Sequence, residues 1–192
     1  MVDIEDRLEF AAPILKIIFI DRLYGSKRAE KGPENFDTFI VDCIHRLNRK
    51  ALKDSFSRRD VDGPFYERQW QMEFYHAATS LITNNQVISS DVGAIFGSKG
   101  KLDFYINGSL KWVIELLLEG HDALGHVQRF QEVGDYWIMR EKMRAYALLD
   151  FRSSKPRKNE MKDNFWYLIY DKNFQKITIC RKGKGTVVVP LL

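Results

Sequence analysis

The stretch KLDFYINGSLKWVIELLLEG, residues 101–120, decides how the rest of the chain is read. Asn107, Gly108 and Ser109 separate two runs of alternating, strand-forming residues, a strong hairpin signal. One face of the first run carries Leu102, Phe104 and Ile106, and one face of the second carries Trp112, Ile114, Leu116 and Leu118. The alternate positions hold Asp103 and Tyr105, then Val113, Glu115 and Leu117. Each strand is built for burial and yet carries an acid.

Register decides whether the acids meet. A two-residue Asn-Gly loop pairs Asp103 with Trp112 and forces the carboxylate onto the apolar face. A three-residue loop, Asn107 to Ser109, pairs Asp103 with Val113, joins the apolar faces and makes Asp103 and Glu115 diagonal neighbours about 7–8 Å apart. A one-residue slip turns every side chain over, so burial predicts the three-residue loop. Two carboxylates at that spacing can share one metal ion, which removes the cost of burying unpaired charges. Pairing of each acid with a nearby Lys or Arg would remove it too.

Upstream the period is helical. Leu8, Ala12, Leu15, Phe19 and Leu23 predict a helix over 4–24, kinked or divided at Pro13. Asn35 or Asp37 can cap a second helix with the stripe Phe36, Phe39, Ile40, Cys43, Ile44 and Leu47. A polar loop over 55–64 leads to a third helix over 65–83, with Trp70, Phe74, Ala77, Ala78 and Leu81 on one side. Glu73 lies in this helix, with Gln69 and His76 on neighbouring turns. A strand over 92–96 precedes the hairpin. A helix over 121–133 follows it and carries His126 and Arg129 at i and i+3. Strands are expected over 146–151, 165–170, 176–180 and 186–189. Helices, a hairpin, a helix on the sheet and further strands give an α/β or α+β fold.

At 192 residues with 45% hydrophobic content, the chain is long enough for a core without disulfide or metal staples. No apolar run reaches the roughly 18–20 residues of a membrane span, so no membrane partner is expected. The acidic start, Asp3, Glu5 and Asp6, does not read as a secretory leader. Cys43 and Cys180 are too few for a zinc site or a disulfide framework. Gly100-Lys101 lacks the glycine and hydroxyl of a phosphate loop, and no nucleophile elbow or zincin motif occurs.

Charge is uneven. Residues 152–184 hold ten Lys or Arg against three acids, a balance of +7, leaving −3 for the rest of a chain of net charge +4. A basic C-terminal third interleaved with Trp166, Tyr167, Tyr170 and Phe174 is the footprint of a polyanion binder. Arg152, Lys155, Arg157, Lys158, Lys162, Arg181, Lys182 and Lys184 are its candidate contacts.

Taken in order, Tyr66 to Tyr75, Lys101 to Ile106, Lys111 to Gly120, then His126, Arg129-Phe130 and Leu149 to Arg152 resemble the PD-(D/E)XK nuclease superfamily. More narrowly, they resemble the nuclease-like C-terminal domains of Crinkler effectors and their transposon-derived relatives. The likeness spans about 65–180. It implies a restriction-endonuclease-like core over 64–192, with residues 1–60 as an N-terminal helical extension. By that resemblance Asp103 and Glu115 are metal ligands for Mg²⁺ or Mn²⁺, and Glu73 is the acid of the first core helix. The activity implied is endonucleolytic hydrolysis of phosphodiesters, in DNA first. The superfamily places a lysine two residues after the Glu, and here that residue is Leu117. A cation must then come from elsewhere, with Arg129, His126, Lys111 and Arg152 as candidates. The resemblance further implies an effector delivered to a host cell and working in its nucleus, with targeting segments outside this chain. The alternative it leaves is an inactive nuclease-like fold that binds nucleic acid or a host protein.

Overall fold

The computed structural model describes residues 28–56, 63–92, 100–140, 142–157 and 161–192. The helix expected over 4–24, most of the strand expected over 92–96, and Lys158 lie outside them. Three helices come first: α1 (Phe36–His45), α2 (Arg49–Phe56) and α3 (Gly63–Leu81). Asn35 caps α1 by accepting from the Thr38 amide at 3.0 Å, as its side-chain chemistry predicts. Helix α2 was not expected, and its last two residues, Ser55 and Phe56, fall in the segment read as a polar loop. Its single buried residue, Leu52, leaves too little apolar periodicity to mark it.

Seven strands follow in one sheet whose spatial order is the chain order: β1 (Ile88–Val92), β2 (Leu102–Ile106), β3 (Trp112–Leu118), β4 (Ala145–Arg152), β5 (Phe165–Tyr170), β6 (Lys176–Cys180) and β7 (Val187–Pro190). β3, β4 and β5 are parallel to one another, and the outer pairings are antiparallel. The β3–β4 crossover contains α4 (Ala123–Arg129) and α5 (Trp137–Arg140). The fold is therefore mixed α/β, as expected. β1 runs earlier than the strand expected over 92–96, overlapping it only at Val92.

Both sheet faces are covered, so the central strands read as near-continuous apolar runs. On one face Phe39, Ile40, Trp70 and Phe74 from the helices meet Phe104, Trp112, Ile114, Leu149 and Phe151. Trp70 stacks on Phe151 with ring centroids 4.2 Å apart. Residues 36–56 thus share a core with the sheet rather than forming a separate layer. The other face packs Val113, Leu117, Leu148, Phe165, Tyr167 and Cys180 under Phe130, Tyr136 and Met139.

The hairpin departs from expectation in length. Ile106 pairs with Trp112 and Phe104 with Ile114, leaving a five-residue connection over 107–111. Two positions account for this. The Asn107 amide donates to the Val87 carbonyl and its side chain accepts from the Val87 amide, which ties it beside β1. Leu110 is buried in the core, so the loop folds inward instead of turning tightly. The register therefore shifts by two residues, which preserves the side-chain faces; a shift of one would have reversed them. Leu102 is a second correction. It packs with Val92, Val113 and Tyr136, in the opposite layer from Phe104 and Ile106.

Candidate active site

The β2–β3 ladder runs from Ile106↔Trp112 to Phe104↔Ile114. Extended one step further, this register sets Asp103 opposite Glu115 rather than diagonal to it. Here carboxylates replace main-chain carbonyls as acceptors. The Asp103 amide donates to Glu115 Oε1 at 3.2 Å, and the Leu116 amide donates to Asp103 Oδ2 at 2.7 Å. The side chains occupy the gap where the strands stop pairing through their backbones. Leu102, just beyond, is released to the other layer.

Each carboxylate has further partners. Gln71 Nε2 of α3 donates to Asp103 Oδ1 at 3.2 Å and lies 3.4 Å from Glu67 Oε1. Glu115 is 1% exposed, and its Oε2 lies 2.9 Å from His126 Nδ1 and 3.7 Å from the Arg129 guanidinium. The i, i+3 spacing of His126 and Arg129 on α4 puts both against the same carboxylate. Arg129 also reaches Asp122 at 4.0 Å.

Tyr136 closes the site from the α4–α5 connection. It is fully buried, its hydroxyl donates to the Lys101 carbonyl, and its amide donates to the Arg129 carbonyl at 2.7 Å. Burial, then the negative charge of Glu115, pushes the phenol well above its ordinary range. Burial disfavours the Arg129 charge, but Tyr136 and Glu115 outweigh it and hold the guanidinium firmly protonated. Gly100 makes this approach possible, because a Cβ there would lie 2.6 Å from the Tyr136 ring.

Other expected residues are placed differently. Glu73 is not brought to the pair. It accepts from the Asn48 amide at 3.3 Å and from Gln69 at 3.0 Å, bracing the α1–α2 junction. Helix geometry explains the exchange: Gln71, two residues earlier, points about 200° away from Glu73 and faces β2 instead. Leu117 is 2% exposed within the apolar layer. Its neighbour on β4 is Asp150, fully buried, accepting from the Gly120 amide at 2.8 Å and from Arg152 at 3.3 Å. Arg152 is thus spent on Asp150 and is not part of an open basic surface. Among the remaining basic candidates, Lys155, Arg157, Lys182 and Lys184 are exposed, while Lys162 and Arg181 are half-buried. Gln71 and Tyr136 were not singled out from the sequence. A glutamine beside a helix's apolar stripe and a tyrosine after Gly134-Asp135 carry no local signal of a site.

Among the described residues no three His, Cys, Asp or Glu side chains converge as a metal-holding group, and no helix is long and apolar enough to cross a membrane. No protein-family model, curated protein or solved structure matches the chain.

Proposed function

We propose that the chain is a nucleic-acid-binding effector domain that hydrolyses phosphodiesters with a divalent cation, on a PD-(D/E)XK-type core with an N-terminal helical extension. The observation that carries this reading is the Asp103–Glu115 pair, two carboxylates fixed across diverging strands by main-chain amides. The donor set fits Mg²⁺ or Mn²⁺, which are commonly held by one or two carboxylates, with water and substrate phosphate completing the shell. Each carboxylate oxygen has two acceptor sites, so a protein donor on one leaves the other for a cation. When bound, the cation would polarise the phosphate and lower the pKa of a bound water.

Asp103 and Glu115 would hold that ion. Gln71 and the Leu116 amide orient Asp103, and His126 orients Glu115. Arg129 supplies positive charge where the superfamily's lysine is missing. It serves by electrostatics, because a guanidinium is too basic to accept a proton. The basic C-terminal third would hold the phosphate backbone without reading bases. Following the resemblance, DNA in a host nucleus is the proposed substrate.

One observation favours a second reading, a nuclease-like fold that only binds nucleic acid or a host protein. Glu115 is buried with Arg129 3.7 Å and His126 2.9 Å from its carboxylate, and Leu117 is apolar. Cleavage of supercoiled plasmid with Mg²⁺ and with Mn²⁺ separates the two. Wild type should nick the plasmid and Glu115→Gln should lose at least about a hundredfold in rate. Equal rates for the two proteins would overturn the nuclease reading. Cleavage by folded Leu117→Lys alone would establish the binding-only reading.

A further inference from the structure

Gln71 ties Asp103 to helix α3, and its amide has two unlike ends. The NH₂ end only donates and the carbonyl end only accepts, so half a turn of the amide reverses what Asp103 meets. For Gln71 to hold Asp103, the protein must select the end that faces it.

The helix supplies the selection. One turn before residue 71 on the helix surface stand residues 67 and 68, at i−4 and i−3. They are Glu67 and Arg68, an anion and a cation side by side. Arg68 Nη1 donates to Gln71 Oε1 at 3.0 Å. Gln71 Nε2 lies 3.4 Å from Glu67 Oε1 and 3.2 Å from Asp103 Oδ1. Each Nε2 hydrogen thus has an anionic acceptor, and the carbonyl has a cationic donor. Turned over, the amide would set its carbonyl against two carboxylates and its NH₂ against a guanidinium, and all three contacts would become repulsive together. The amide also stands between Glu67 and Asp103, so the two like charges do not face each other directly.

The consequence reaches the carboxylate pair. The Leu116 amide serves Asp103 Oδ2 at 2.7 Å and Gln71 serves Oδ1. One donor on each oxygen, from two different elements, sets the rotation of the carboxylate plane.

We propose that Glu67 and Arg68 are positioning residues that hold the Gln71 amide with its NH₂ end toward Asp103, and so orient the carboxylate. The inference rests on the reading of Asp103 as a ligand of a divalent cation. Neither Glu67 nor Arg68 touches the ion; each acts through Gln71. Groups that orient a metal ligand in this way typically change metal affinity by about 10–100-fold when removed.

Two measurements on the full chain test this. The first is the NMR signature of the Gln71 side-chain amide in metal-free, ¹⁵N-glutamine-labelled protein, assigned by its loss in Gln71→Met. Its two protons should exchange slowly with water in wild type and rapidly in Glu67→Ala and Arg68→Ala. Alanine preserves helix propensity, so both variants should fold. Unchanged amide signals in both would overturn the proposal. The second is Mn²⁺ affinity by electron paramagnetic resonance, expected to fall about tenfold in each alanine variant. Glu67→Gln keeps an acceptor oxygen for Gln71 and should recover most of that loss. Equal losses in Glu67→Gln and Glu67→Ala would show that the charge of Glu67 acts on the ion itself, and would also overturn the proposal. A slowly exchanging amide that Glu67→Ala and Arg68→Ala release, in a protein that binds no Mn²⁺, would uphold the positioning of Gln71 and overturn only the divalent-cation reading.

Discussion

Asp103 and Glu115 are joined through the backbone of each other's strand: the Asp103 amide serves Glu115, and the amide following Glu115 serves Asp103. Neither acid is a surface carboxylate that strayed inward. Each completes a hydrogen-bond ladder that the strands leave open where they diverge. The arrangement gives both acids a structural role on top of any chemical one, so the two roles must be separated by the choice of substitution.

Asp103→Ala should leave the Leu116 amide and Gln71 without their acceptor and destabilise the fold by about 1–3 kcal/mol. Asp103→Asn keeps an acceptor oxygen and should cost less. Urea unfolding midpoints at constant m-value test this. Equal losses in the two variants would show that the hydrogen bonds do not set the stability of this end of the sheet.

Trp70→Ala should be among the most damaging substitutions, at about 3–5 kcal/mol. The indole is 1% exposed and stacks on Phe151, with Tyr170 and Phe174 beside it. Thermal unfolding would read the change. A loss near that of a surface substitution would mean that this cluster does not anchor α3 to the sheet.

Asp150 predicts a pH dependence with a definite sign. Burial raises its carboxyl above the ordinary range, only partly offset by the Gly120 amide and Arg152. A raised acid is easier to bury protonated, so its contribution to stability is present below about pH 4 and is lost as pH rises toward the folded-state value. Asp150→Asn cannot ionise. Its stability relative to wild type should therefore climb over that interval, whatever constant penalty arises at Arg152. A difference independent of pH would refute the assignment.

Gly100→Ala should cost about 1–3 kcal/mol, because the new methyl group meets the Tyr136 ring and the core is already full. Combined with Tyr136→Leu, which removes the ring, the same substitution should cost less than it does alone. A double-mutant cycle in urea measures the coupling, and strict additivity would show that the two residues do not touch in solution.

Much of the fold is legible in local chemistry. The Asn35 cap, the alternation of β2 and β3 and the apolar runs of β4 to β6 each mark their element, because propensity and burial agree there. The presence of an acid in each hairpin strand is equally plain. The partners of those acids are less so. Glu73 and Gln71 lie in the same helix, and only the roll of α3 on the sheet decides which of them reaches Asp103.

The sequence by itself determined that two carboxylates would share a hairpin, since period-two alternation is a property of the strand alone. It also determined an excess of positive charge in the C-terminal third, since charge follows from composition. Tertiary structure alone decided the register, through the inward burial of Leu110 and the attachment of Asn107 to Val87. It also decided that Tyr136 and Arg129 would close around Glu115. The named pairs lie 14 to 21 positions apart. They depend on packing that no local window of sequence contains.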